Sequence, residues 1–433
     1  MVKTSLRPFV ASMALALALP MSAMAADDSS AATSADSQLP IQSLRLFAEA
    51  FERIKQNYVS EVSDQKLIQY AIQGMVANLD PHSAYLDPDS FRDLQESTSG
   101  EFGGLGIEVD EQDGMIRVVA PIDDTPAQRA DLRAGDLIIK INNEAVSSLS
   151  VTDAINLMRG KPGSSITLTI MREGVNQPIV KTLKRDIIRV KSVRSKLYDN
   201  GYGYLRITQF QEDSGQEVIR ALQQMQGEAA SHGGLKGIVM DLRNNPGGVL
   251  QAAVEVAGAF LDGGLVVYTQ GRGDDEGRTD FKAKAGDMTH GVPLVVLING
   301  GSASASEIVS GALQDRKRAV VLGEPSFGKG SVQTIMPLGK DSAIKLTTAL
   351  YFTPNGRSIQ AEGITPDIRV KDVKVTPMNV DGVSIKEADL KGHLDNAGGN
   401  TSSSDQSIGN LIETDYPLFE SFNLLKALSL TKR

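Results

Sequence analysis

Three serines stand at alternate positions, Ser302, Ser304 and Ser306, in the stretch INGGSASASEI, and a lysine, Lys329, follows between two glycines in GEPSFGKGSVQ. A serine hydroxyl becomes a nucleophile when a neighbouring base takes its proton, and a lysine can be that base if burial keeps its amine neutral. Gln333 would face Lys329 if Lys-Gly-Ser-Val-Gln forms one helical turn, and an amide orients an amine without adding charge that raises its pKa. The serine stretch also has a blander reading. Ser304-Ala-Ser-Glu307 fits a capping box, with Ser304 as N-cap and Glu307 at N3, and a hydroxyl bonded to backbone amides is a poorer nucleophile.

Other chemistries fail on spacing. Gly323 and Gly328-Lys329 come close to a phosphate loop, but Gly330 stands where the magnesium-binding Ser/Thr should be. Pro325 stiffens that segment and Pro337 breaks any helix after it. His82, His232, His290 and His393 lie beside Gly, Pro or polar residues, show no metal-ligand spacing, and are linked by no pattern to the serine loop. His82, in LDPHSAYLDPDS between Pro81 and Pro88, reads as a turn residue. The chain has no cysteine, which excludes disulfides, zinc–thiolate sites and a cysteine nucleophile. Serine–lysine chemistry needs no metal or cofactor.

The elements around these residues can position them. PLVVLIN reads as a strand, NGGS as a turn and ASEIVSGAL as the start of a helix. That order lifts a hydroxyl clear of a sheet and offers the amides of the helix's first turn to an oxyanion. DLRNNPGG (residues 241–248) follows the strand GIVM, and Gly247-Gly248 can bring further amides close. YGYLRI, GIVMDLR, PLVVLIN and RAVVLGE alternate with helical patterns such as VLQAAVEVAGAFL, which implies α/β layering over residues 187–372. Residues 98–186 differ, with short β-like runs and turns. There GLGI (Gly104, Leu105, Gly106, Ile107) can converge amides on a carboxylate beside an open strand edge, and a helix follows around Ile155.

The flanks complete the organisation. Residues 41–97 show helical spacing of Leu44, Phe47, Phe51 and Ile54. Residues 373–410 read as a linker and 411–433 as an amphipathic helix. Residues 1–25 carry a positive start (Lys3, Arg7), a short apolar run and Ala23-Met24-Ala25, the pattern of an export signal cleaved near Ala25-Ala26; 26–40 form a polar, disordered lead-in. Cleavage leaves 408 residues (433 − 25), and loss of the two cations takes the net charge from −9 to −11. That balance argues against nucleic acid as a partner.

Two resemblances sharpen this reading. Residues 98–186, with GLGI, TPAQRADLRAGDLIIKINNEAV and the helix at Ile155, resemble a PDZ domain, which implies capture of peptide C-termini by strand addition. GGSASASEIVSGALQD followed by GEPSFGKGSVQ resembles the catalytic signature of the carboxyl-terminal processing (tail-specific) proteases. The resemblance runs on through DLRNNPGG and LDPHSAYLDP. It implies Ser304 as nucleophile, Lys329 as general base and Gln333 as third catalytic residue. The oxyanion hole would combine the Ala305 amide with a glycine amide, Gly247 or Gly248. It further implies a crotonase-like α/β core with an inserted PDZ domain, and protein substrates with unstructured apolar tails, cell-wall hydrolases among them. A lipoprotein adaptor, a bacterial periplasmic location and a homo-oligomer built through the terminal helices complete that set of expectations. The alternative from another class is a non-catalytic periplasmic PDZ scaffold.

Overall fold

The computed structural model describes residues 40–112, 114–198, 201–273, 277–376, 391 and 406–431. The expected signal segment, nearly all of the lead-in and most of the 373–410 linker lie outside them. The chain divides into a unit ending at Tyr70 and a unit from Ala71 onward. Helix α1 (Ile41–Asn57) buries no residue, so Leu44, Phe47 and Ile54 are all exposed. Helix α2 (Asp64–Ala77) follows.

Strand β1 (Ala84–Leu86) and helix α3 (Pro88–Ser99) lead into the region read as PDZ. Asp87 caps α3 by accepting from the Ser90 amide, Pro88 occupies the first turn where no amide hydrogen is needed, and Gly100 ends the helix at φ 74°. Strands β2 (Glu101–Gly104) and β9 (Asp186–Arg189) pair antiparallel and clasp the entry and exit of the region. Between them β3 (Ile107–Gln112), β4 (Met115–Pro121), β5 (Leu137–Ile141), β7 (Ser165–Met171) and β8 (Ile179–Lys184) form a sheet in that order, with β6 (Glu144–Ala145) on β5. Two helices, α4 (Pro126–Arg129) and α5 (Val151–Met158), close over a core of its own, centred on Val118, Ile138, Ala154 and Leu168.

The remaining core is layered. Strands β10 (Val193–Tyr198), β11 (Tyr202–Ile207), β12 (Gly237–Asp241), β15 (Leu294–Ile298), β16 (Val320–Gly323) and β19 (Ile368–Arg369) lie side by side, parallel from β11 onward. Their residues alternate between two cores. Ile238, Met240, Leu294 and Val296 face helices α6 (Ser214–Ala229), α7 (Leu250–Gly258) and α8 (Ala305–Asp315), while Val239, Val295 and Leu297 face the opposite side. A parallel sheet covered on both faces needs such unbroken apolar strands. After two short helices, α9 (Gln406–Gly409) and α10 (Leu411–Thr414), helix α11 (Tyr416–Thr431) covers that opposite side. Its Phe422 ring lies 4.8 Å from that of Tyr198, and Leu418 and Leu425 are buried with it. The apolar face of the C-terminal helix is therefore used within the chain. This corrects the expectation that it is left open for assembly; α1 displays such a face uncovered, and α2 also exposes Ile68 and Met75.

A second sheet packs β1, β18 (Ser342–Phe352), β13 (Gly264–Gly271) and β14 (Arg278–Ala283) in that order, with β17 (Ser331–Leu338) on β18.

Candidate active site

The loops that matter leave the C-terminal ends of three neighbouring parallel strands, β12, β15 and β16, where open α/β sheets place their sites. The serine loop after β15 is stitched to the DLRNNPGG loop after β12. Asn244 and Asn299 exchange two bonds: the Asn244 amide donates to Asn299 Oδ1 (2.8 Å) and Asn299 Nδ2 to Asn244 Oδ1 (2.9 Å). Ser302 Oγ donates to the Leu242 carbonyl (2.8 Å), Ser306 Oγ to the Asn245 carbonyl (2.9 Å), and both serines are fully buried. Ser304 is only half-buried and lines a cavity of about 320 Å³. The three serines that look alike in sequence are thus two structural pins and one half-buried hydroxyl on the cavity wall.

Ser304 has φ 55° and ψ −112°, a conformation that side-chain-bearing residues rarely take and that is held by its surroundings. The capping-box geometry is present, but the Glu307 amide spends its bond on the Ser304 carbonyl oxygen (2.8 Å) and Ser304 Oγ makes no capping hydrogen bond. Glu307, by contrast, is a hub. Its Oε2 accepts from the amides of Ser304 (2.7 Å) and Lys329 (2.9 Å), and its Oε1 from Ser326 Oγ (2.6 Å) and the Gly328 amide (2.7 Å). One fully buried carboxylate therefore joins the serine loop to the lysine loop. Tyr351 adds a second tie, with its hydroxyl between the carbonyl oxygens of Ser304 (3.1 Å) and Lys329. Burial pushes its pKa well above the ordinary value, so it remains a donor. From further along the chain, Gln360 Oε1 accepts from the Gly330 amide (2.9 Å) and Ser326 Oγ from the Ile364 amide (2.7 Å).

Lys329 and Gln333 line the same cavity as Ser304. Burial pushes the Lys329 pKa below the ordinary value and the neighbouring Lys345 charge pushes the same way, while Glu307 and Asp80 pull it back. Gln333 does not lie on a helical turn. It sits on β17 beside an irregularity in the pairing with β18 between Val332 and Gln333. The β-branched and alternating residues of SVQTIMPL favour an extended strand, and in a strand positions four apart share a face. Gln333 Nε2 donates to Ser331 Oγ (2.9 Å) and Thr347 Oγ1 (3.3 Å).

The glycines after β12 have separate parts. The Gly247 amide is taken by Asn245 Oδ1 (2.9 Å), and a Cβ there would stand 2.8 Å from Ser304 Cβ and 2.9 Å from the Ala305 nitrogen. Among the described residues the amides of Gly248 and Ala305 have no hydrogen-bond partner, and both residues line the cavity. Sequence reading missed Tyr351, Thr347 and the long reach of Glu307. It read His82 as a turn residue, yet burial and then the Lys329 charge lower its pKa.

The five residues picked for peptide binding, Gly104, Leu105, Gly106, Ile107 and Ile155, share a separate groove of about 160 Å³ with Met158. Strand β3 is the edge of its sheet, so its outer side is unpaired there. Gly106 is at φ 75°, and a Cβ would meet Thr125 at 2.4 Å.

A serine-type peptidase is the class that this serine, half-buried lysine and α/β frame define. Residues 201–370 match the model of peptidase family S41, residues 117–172 that of a PDZ domain, and residues 11–90 that of the activating protease CtpB N-terminal domain. The chain is 48% identical to a carboxy-terminal-processing protease of Bartonella bacilliformis over 84% of its own length and 83% of the relative's. It is 36% identical to the carboxy-terminal processing protease CtpA of Bacillus subtilis, over 75% and 68% respectively. Among solved structures, a photosystem II D1 C-terminal processing protease covers 76% of this chain and 92% of its own at 30% identity and a TM-score of 0.45. The chain belongs to the carboxy-terminal processing proteases of peptidase family S41, serine-type enzymes, and it carries a PDZ domain.

Proposed function

We propose that Ser304 and Lys329 form the catalytic dyad of an exported endopeptidase that trims or degrades envelope proteins. The observation that carries this reading is the shared cavity: of three serines in the loop only Ser304 opens into it, together with a lysine whose pKa is lowered by burial. Lys329 Nζ takes the Ser304 proton as Oγ bonds to the substrate carbonyl carbon. The oxyanion is held by the amides of Gly248 and Ala305, the two open donors. Collapse breaks the peptide C–N bond, the leaving amine takes the proton from Lys329, and an ester to Ser304 remains. Water, deprotonated by the same amine, then attacks the ester carbonyl, the C–Oγ bond breaks, and the lysine returns that proton to Ser304 Oγ. Gln333 orients the lysine. No metal or cofactor enters these steps.

The PDZ groove selects substrates by their apolar C-terminal tails, adding them as a strand along β3. Cleavage near Ala25-Ala26 releases the chain to a bacterial periplasm, where cell-wall hydrolases are among the substrates and a lipoprotein adaptor assists. The core layering is crotonase-like, and the exposed apolar face of α1 joins copies into a homo-oligomer. The test is cleavage of unfolded casein, with and without envelope extract. Ser304→Ala and Lys329→Arg are expected to be inactive while Ser302→Ala keeps activity. Cleavage by Ser304→Ala equal to that of the unaltered protein refutes the dyad, and an unaltered protein that binds tails but never cleaves favours a scaffold.

A further inference from the structure

The LDPHS loop meets β18 at Thr347, through both its side chain and its amide. Thr347 Oγ1 donates to Asp80 Oδ1 (3.1 Å), and the Thr347 amide donates to Ser83 Oγ (3.0 Å), which in turn donates to Asp80 Oδ2 (2.6 Å). The amides of His82 and Ser83 also point at Asp80 Oδ1, at 2.8 and 2.9 Å. A hydroxyl has one proton and two lone pairs. With its proton committed to a carboxylate, Thr347 Oγ1 can only accept from its other neighbours, Gln333 Nε2 (3.3 Å) and, at 3.4 Å, Ser83 Oγ. The two ends of a glutamine amide have nearly the same shape, so only such partners decide which end points where.

We propose that Asp80 and Thr347 are positioning residues that fix the orientation of the Gln333 side-chain amide. They commit its Nε2 to β18 and leave its Oε1 as the open acceptor toward the cavity it shares with Lys329. Among the described residues Oε1 has no donor of its own, and the other Nε2 partner, Ser331 Oγ, can either give or take a proton and so selects neither end. The carboxylate that starts the chain stays ionised, because the Ser83 hydroxyl above all, then the His82 and Ser83 amides and the Thr347 hydroxyl, hold its pKa down at about 2. The segment preceding the PDZ region is thereby part of the protease site. The inference rests on Gln333 acting on Lys329, as proposed above.

The experiment is a double-mutant cycle on the full chain, reading kcat and KM for a peptide substrate. Thr347→Val keeps the shape and removes the acceptor. Its kcat is expected to fall by roughly 3- to 10-fold, the worth of one neutral hydrogen bond, with KM little changed, and Thr347→Ser is expected to restore it. In a Gln333→Ala background Thr347→Val should cost nothing further. The inference is overturned if Thr347→Val costs the same factor in both backgrounds, or if Thr347→Ser is as poor as Thr347→Val. If Gln333→Ala alone has the kcat of the unaltered protein, it is the role of Gln333 that fails, and the orientation argument falls with it.

Discussion

Replacing Glu307 with Gln separates the structural and electrostatic parts that this buried carboxylate plays. Its two oxygens accept four hydrogen bonds, three from backbone amides and one from Ser326 Oγ. A Gln can keep its oxygen toward the Ser304 and Lys329 amides and turn its nitrogen toward Ser326 Oγ and the Gly328 amide. Ser326 Oγ can accept, but two donors then oppose each other at Gly328. One orphaned buried donor costs about 1–3 kcal/mol, and the surviving bonds lose their charge assistance, worth about 0.5–1 kcal/mol each. Relief from burying a charge offsets part of this. The expected net loss is about 2–4 kcal/mol, read from the urea midpoint at constant slope. Activity should move in a way that stability alone does not dictate. Glu307 holds the Lys329 pKa up, so its neutralisation lets the amine lose its proton more easily. The acid limb of kcat/KM should therefore shift to lower pH while the plateau falls because the two loops separate. A loss under about 0.5 kcal/mol, or an acid limb moved to higher pH, refutes the account of Glu307 as the joint between the loops.

Three further outcomes follow from the same geometry. Ser306→Ala and Ser302→Ala each remove a buried hydroxyl that donates to a carbonyl, so each should lower stability by about 1 kcal/mol or somewhat more for Ser302, which also accepts from the Asn299 amide, in denaturant titration. Lys329→Met should be inactive yet more stable. The folded pKa of Lys329 lies below its unfolded value, so the unfolded state binds the extra proton; the stability gap is absent above the unfolded pKa, opens as pH falls through the window, and is full below the folded pKa. Gly106→Ala, forced to φ 75° against Thr125, should weaken tail-peptide binding by calorimetry while leaving hydrolysis of a short tail-less peptide unchanged.

What could be read in advance depended on how far apart in the chain the partners lie. Ser304 and Lys329 sit on loops after adjacent strands, β15 and β16, but local pattern read the serine as a helix cap, and only the family resemblance paired it with the lysine. The capping box was legible too, but its meaning was not: Glu307 is bound mostly by the lysine loop, a partner no local pattern reveals. Gln333 was assigned to a helical turn because spacing of four suits both a helix and one face of a strand. Thr347, Tyr351 and Asp80 escaped notice because hydroxyls and carboxylates in strands and turns are common, and only β18 pairing with both β17 and β1 brings them together. The apolar pattern of α11 was plain, whereas its destination on the sheet was a tertiary fact.

The lysine loop is held by groups that come late in the chain: Tyr351, Gln360 and Ile364. A polypeptide grows from its N-terminus at about 5–20 residues per second, so several seconds separate the appearance of Ser304 from that of its last supports. The Glu307 joint can form once Lys329 is made, but the ties from Tyr351, Gln360 and Ile364 to the lysine loop cannot. The lysine loop is thus fully tied only after strand β18 and the turn that follows it have been made.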